Sequence, residues 1–171
     1  MIESIRRTVY QKQEVLVTRF HAPMRALAKR AVRVWFNRAR LDQLLCESVT
    51  DFPECDMIYA IDTDGIQVSS NVSGASIDRT AYRQDLSDRP YHVTIPHLNN
   101  AACEGAFLCE VYVSRLTRLP CVTVLRGVTA GSAILGFIAA DLDVGALSTL
   151  QGSDNNLTRQ LAPDSPTIHA T

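Results

Sequence analysis

The 171-residue chain is predicted to fold as an α+β domain: a five-stranded antiparallel sheet with a long N-terminal helix and a pocket-covering helical connection. Three observations lead there. Residues 1–40 carry helical periodicity and a basic bias, residues 56–142 hold five short apolar runs separated by turn signals, and the short links between consecutive runs favour antiparallel pairing. Apolar residues at 46% and charged residues at 20% exclude disordered and fibrous classes. A chain of this length buries roughly 70% of its unfolded surface, enough for a core without disulfides or metal.

The leader comes first. Ten Lys or Arg against Glu3 and Glu14 give residues 1–40 a net charge of +8, whereas seven against sixteen Asp or Glu give residues 41–171 a net −9. Met24, Leu27, Ala28, Ala31 and Trp35 recur at helical spacing as one stripe, with Arg25, Lys29, Arg33 and Arg40 opposite. Pro23 is expected to separate this helix from an earlier one over residues 3–20. The basic face suits contact with nucleic acid or membrane, or simple solvation of a helix whose other side covers the core or pairs with a second subunit. Phe36 apart, that face lacks the aromatics that stack on bases, which favours solvation. The chain divides into a helical leader (1–50), a body (51–150) and a flexible tail (151–171).

In the body, residues 56–62 form an apolar run that ends in a turn at Asp64-Gly65, and residues 66–72 alternate after it, which predicts a hairpin. Residues 78–92 are expected to form a short helix broken before Pro90. Strands follow at Phe107–Leu116, Pro120–Val128 and Ile134–Leu142, and Asp143 is placed to cap a C-terminal helix. This order matches a PAS-like arrangement, in which the segment between the second and third strands lies over one face of the sheet and encloses a pocket.

Three positions carry candidate binding chemistry. Arg89 offers a planar fork suited to a carboxylate, or to an ion pair with Asp85 or Asp88. Glu110, Tyr112 and Ser114 share one strand face, with Val111 and Val113 on the other, and a polar face on a central strand needs a ligand, water or bulk solvent. Asp141 ends an otherwise apolar strand, where a carboxylate must be paired or must serve as a turn residue with Asp143. Asp62 and Asp64 resemble the opening of a calcium loop, but the rest of that loop is missing and a hairpin turn is expected.

The five cysteines, Cys46, Cys55, Cys103, Cys109 and Cys121, are odd in number and lack C-x-x-C spacing, so they are expected as free thiols without zinc. The sequence contains no phosphate loop, no H-E-x-x-H and no local Cys-His signature, so no catalytic activity and no cofactor are expected. It also contains neither an apolar run of about 18 residues nor a secretory h-region, which predicts a cytoplasmic location with no membrane span.

The blocks Tyr59-Ala-Ile-Asp-Thr-Asp-Gly-Ile-Gln-Val-Ser-Ser-Asn, Asp88-Arg-Pro-Tyr, Glu110-Val-Tyr-Val-Ser and Leu135-Gly-Phe-Ile-Ala-Ala-Asp-Leu-Asp, in that order, resemble the Cache (PDC) sensor superfamily over residues 55–147. The resemblance implies a sensing domain that binds a small metabolite, such as an amino acid or carboxylate, and passes the signal to a downstream signalling protein; most relatives lie outside the cytoplasm between two membrane helices, which this sequence lacks, so a free-standing soluble member is expected. In amino-acid-binding members an Arg-Pro-aromatic motif supplies the carboxylate-binding arginine, which looks like Arg89, with Tyr91 and His92 at the aromatic positions and Tyr82 upstream. Tyr112 looks like the strand-three aromatic and Asp141 like the strand-five aspartate that holds the ligand amine. The helices of such domains often pair. Together with the width of the Met24–Trp35 stripe, this implies a homodimer through residues 3–46.

Overall fold

The computed structural model describes residues 2–74, 76–90, 106–109, 111–114 and 117–145, with side chains of the first helix described at Arg7, Tyr10 and from Val15 onward. Tyr91, His92, Cys103, Glu110, the helix expected after Asp143 and the tail 151–171 lie outside the described residues.

The leader forms one helix, not two. α1 runs unbroken from Ile2 to Ala31 with Pro23 inside it. An interior proline costs about 3 kcal/mol. On the same helix Leu16, Phe20, Met24 and Leu27 are all buried, each contributing roughly 1.5–3 kcal/mol, so burial outweighs the local penalty. The apolar stripe is where the periodicity places it, and Arg25, Lys29, Arg33 and Arg40 are exposed. Trp35 is buried although the helix ends four residues earlier. A tight turn, with Val34 N donating to Ala31 O at 3.0 Å, returns its ring to the core. α2 (Arg38–Ser48) starts at Asn37, whose side chain accepts from Arg40 N at 3.1 Å.

Among the described residues seven strands form one antiparallel sheet: β1 (Met57–Asp62), β2 (Asn71–Ser73), β3 (Ser76–Asp78), β4 (Phe107–Leu108), β5 (Tyr112–Val113), β6 (Pro120–Ala130) and β7 (Ala133–Asp143). Their order is β3-β2-β1-β7-β6-β4, with β5 also on β6. First and last strands therefore meet at the centre, and the five expected strands map onto β1, residues 66–73, β4 with β5, β6 and β7. β3 is an additional short edge strand.

Local chemistry accounts for the differences in detail. Along the second expected strand, the Ser69 hydroxyl replaces a backbone acceptor for Ala60 N at 2.8 Å, and Ser70 N and Oγ both donate to Asp42 of α2 at 2.7 Å, so pairing lapses before Asn71. The third expected strand is split, because Thr123 N donates to the Cys109 thiol at 3.0 Å where a carbonyl would continue the ladder. Val113, expected on an apolar side, is 57% exposed at the sheet edge. No helix spans residues 78–89. Arg79–Ala81 make one 3₁₀ turn, Arg83 takes φ +70°, and the backbone of residues 83–85 pairs with that of Ile66 and Gln67 instead. Asp62 and Asp64 sit in the β1 turn, where Asp62 Oδ1 accepts from the backbone N of Asp64 and Ile66.

The sheet is covered on both faces. α1 packs across β6 and β7, and the residues of β6 from Cys121 to Val128 are all buried. Gly136 packs directly against Trp35, which follows α1. It has φ +154°, and a Cβ there would lie 2.5 Å from Trp35 Cζ2 and collide with the Ile61 carbonyl. Gly136→Ala is expected to destabilise the fold by about 3 kcal/mol or more, at the upper end of overpacking costs, as read by urea denaturation. A wild-type midpoint would contradict this packing.

Candidate ligand-binding site

The face of the sheet opposite α1 carries a cavity of ≈ 400 Å³, lined by Met57 and Tyr59 of β1, Gln67, Asn71, Asp78, the 84–89 segment, Ser114 and Asp141. The period-two alternation of the strands puts Met57, Tyr59, Thr123 and Asp141 on this side. The segment expected to cover the pocket does so with turns. Gln84, Asp85, Leu86 and Arg89 reach the cavity, and Arg89 N is held by Leu86 O at 3.0 Å.

Asp141 is the centre of a buried polar network. It is 4% exposed, and its Oδ1 accepts from Thr123 Oγ1 at 2.7 Å, Tyr59 OH at 3.1 Å and Tyr112 OH at 3.4 Å. Loss of hydration on burial pushes its carboxyl up from 3.8 to about 6, against the opposing pull of the Thr123 hydrogen bond, the Arg89 charge and the two tyrosine hydroxyls. Tyr112 is also 2.9 Å from Thr123 Oγ1, and its phenol is driven upward by burial and by the Asp141 charge. Arg89 Nη1 donates to the same Tyr112 hydroxyl at 3.2 Å, its guanidinium lying 5.4 Å from the ring centroid. One hydroxyl thus links a guanidinium to a buried carboxylate across the cavity wall.

Of the residues singled out in the sequence, Arg89, Ser114 and Asp141 line the cavity, and Tyr112 ties Arg89 to Asp141 from behind. Tyr82 is elsewhere. It stands under the Arg38 guanidinium, 4.0 Å from its ring centroid, and is not among the lining residues. Sequence reasoning missed Tyr59, Thr123, Gln67 and Asn71. Gln67 is almost fully buried and donates to Ser69 O at 3.1 Å and Asn71 Oδ1 at 2.7 Å. The polar alternation Gln67, Ser69, Asn71 was the available signal, and Thr123 was visible as the hydroxyl interrupting an apolar run.

Cys46, Cys55, Cys109 and Cys121 are free thiols. Burial raises Cys109 to about 12 and raises Cys55 and Cys121 as well, so these thiols stay protonated at neutral pH. Among the described residues no His, Cys, Asp or Glu cluster has the geometry of a metal site, and no helix is long and apolar enough to cross a membrane.

The fold is that of sensory ligand-binding domains. The Campylobacter jejuni chemoreceptor Tlp3 sensory domain with isoleucine bound superposes with a TM-score of 0.60 at 12% identity, over 89% of this chain and 60% of that one. The ligand-binding domain of the Pseudomonas fluorescens chemoreceptor CtaA, in complex with L-alanine, gives 0.58 at 17% identity, over 86% and 60%. The Bacillus subtilis YkuI protein, which has an EAL domain and was crystallised with c-di-GMP and calcium, gives 0.64 at 20% identity over 85% of this chain and 35% of that one. The chain therefore spans about a third to three fifths of these structures. No family model and no curated protein matches the sequence.

Proposed function

We propose that this chain is a non-catalytic sensing domain that binds a small zwitterion of the amino-acid class in the cavity between Arg89 and Asp141. The observation that carries the reading is the pair of opposite charges joined through the Tyr112 hydroxyl at the wall of a cavity whose volume suits a small molecule. Arg89 would take the ligand carboxylate by two parallel hydrogen bonds, and Asp141 its ammonium. The lining holds three carboxylates, Asp78, Asp85 and Asp141, against the single guanidinium of Arg89, which favours an amino acid over a plain carboxylate. Tyr91 and His92 belong to the proposed site as the aromatic positions after Pro90. The ligands named for Tlp3 and CtaA are amino acids, which supports the same class here.

The test is a thermal-shift screen of the L-amino acids, each beside its decarboxylated amine and its deaminated acid. At least one zwitterion should raise the melting temperature while its two halves do not. Stabilisation by acids alone, or by none of the compounds, would refute the assignment.

The reading also has two copies pairing in the cytoplasm, with the signal passing to a downstream partner. The Met24–Trp35 stripe is consumed by the sheet of its own chain, so pairing would use the helix before Leu16, where Tyr10 is 80% exposed and Val15 is also exposed. Light scattering should return a dimer at tens of micromolar, and Tyr10→Glu with Val15→Glu a monomer. A wild-type monomer would count against pairing.

A further inference from the structure

Resting on the assignment of Arg89 to the ligand's α-carboxylate and Asp141 to its α-ammonium, we propose that the ligand is a dibasic amino acid, whose cationic side chain crosses β1 to the polar end of the cavity at Gln67, Asp78 and Asp85. Strand pairing sets the geometry. Asp141 stands opposite Met57, the pairing of Ile58 with Val72 brings Asn71 beside Tyr59, and Asn71 stands opposite Asp78. Residues opposed across antiparallel strands share a face, so one row of side chains runs from Asp141 on β7 over β1 to Asn71 on β2 and Asp78 on β3. Adjacent strands lie about 4.8 Å apart, which puts about 10 Å between Asp141 and Asn71 and about 14 Å between Asp141 and Asp78.

The middle and the end of this row differ in chemistry. Next to Asp141 the lining is Met57, Tyr59 and Leu86, which offer apolar surface to a run of methylenes. Gln67, Asp78 and Asp85 lie beyond them. Gln67 is 1% exposed, and its Nε2 spends both hydrogens, on Ser69 O at 3.1 Å and Asn71 Oδ1 at 2.7 Å. Among the described residues no group donates to its Oε1, which is left as an acceptor open to the cavity. An interior acceptor without a donor is costly, and a ligand ammonium or guanidinium supplies one. Asp78 and Asp85 stand at the rim, each held in its own turn by an Oδ1 that accepts a backbone N–H at 2.9 Å, from Thr80 and from Ser87.

Charge and length select the side chain. Among the described residues the cavity lining carries the carboxylates of Asp78, Asp85 and Asp141 against the guanidinium of Arg89, and an ordinary zwitterion leaves that excess of two negative charges unchanged. A second cation halves it. The four-carbon stem of lysine, with a hydrogen bond of about 3 Å at either end, reaches from Asp141 past Tyr59 to Gln67 and the rim acids, whereas alanine or valine ends over Met57 and Tyr59. A neutral amide side chain would satisfy Gln67 but not the carboxylates, which favours the cation.

Titration calorimetry of the full chain at ~150 mM salt compares L-lysine, L-ornithine and L-arginine with the neutral analogues L-norleucine and L-citrulline and with L-glutamine. At least one dibasic amino acid should bind about tenfold or more tightly than every neutral one. Asparagine at the rim positions keeps an oxygen for the backbone N–H of Thr80 and Ser87, so the variants should fold. Asp78→Asn should cut the preference for the dibasic ligand over its neutral analogue by about threefold, and Asp78→Asn with Asp85→Asn by about tenfold. A neutral amino acid bound as tightly as any dibasic one, or a preference unchanged in the double variant, would overturn the proposal while leaving the Arg89–Asp141 assignment standing. Cadaverine bound as tightly as lysine, or no amino acid bound at all, would overturn that assignment and the proposal with it.

Discussion

Replacing Arg89 by alanine is expected to abolish ligand-induced stabilisation while leaving the unliganded fold intact. The guanidinium lies at the cavity wall and bonds to the Tyr112 hydroxyl, which keeps Thr123 and Asp141 as partners when Arg89 is removed. Removing a desolvated charge opposite a ligand carboxylate costs roughly 2–5 kcal/mol of binding, enough to move a micromolar ligand into the millimolar range. Arg89→Lys should recover little, because an ammonium is a point charge and cannot hold both carboxylate oxygens. Calorimetry on the three proteins decides it. An alanine variant that binds like the parent would reduce Arg89 to a structural member of the loop that follows Leu86.

Asp141→Asn is expected to raise the stability of the unliganded fold at neutral pH and, like Arg89→Ala, to abolish ligand binding. Because the folded carboxyl titrates near 6 and an unfolded one near 3.8, the contribution of this group to stability is complete below about pH 4 and is lost as pH rises through about 6. At pH 7.5 the unliganded protein therefore carries an ionised carboxylate whose burial costs about 1–3 kcal/mol. Asparagine keeps the oxygen that Thr123, Tyr59 and Tyr112 donate to and removes the charge, so the variant should be more stable than the parent at pH 7.5 by that amount and equal to it near pH 4. It should also lose the ligand ammonium. In the parent, amine affinity should fall about tenfold per pH unit below 6, as protonation competes with binding. Denaturation curves at the two pH values check the sign, and a variant less stable at pH 7.5 would show that Asp141 is a structural carboxylate.

Much of this was legible in the letters because period and polarity act locally. The Met24–Ala31 stripe needed only helical spacing, and the runs at 120–128 and 134–142 needed only their apolar continuity. What was not legible depended on long-range terms. The unbroken helix through Pro23 exists because Phe20 and Met24 are buried by a sheet that follows them in sequence, and Trp35 is buried by a turn that propensity does not foretell. Within the described residues 78–89 of the helix expected over 78–92, residues 83–85 pair with residues 66–67 instead, a contact that spacing along the chain cannot reveal. In the site, Arg89 and Asp141 stood out as charges in the wrong company, whereas Thr123 and Tyr59 became visible only once register placed them around Asp141. Tyr82, an aromatic near the motif, was drawn to Arg38 instead.

A crystal structure of the full chain with the most stabilising amino acid from the thermal-shift screen tests the central claim most directly. The account predicts that the ligand lies in the cavity beneath residues 84–89, its carboxylate forked by Arg89 and its ammonium on Asp141, with Tyr112 still bridging the two. A ligand bound outside that cavity, or inside it with neither charge on these two residues, would contradict the account.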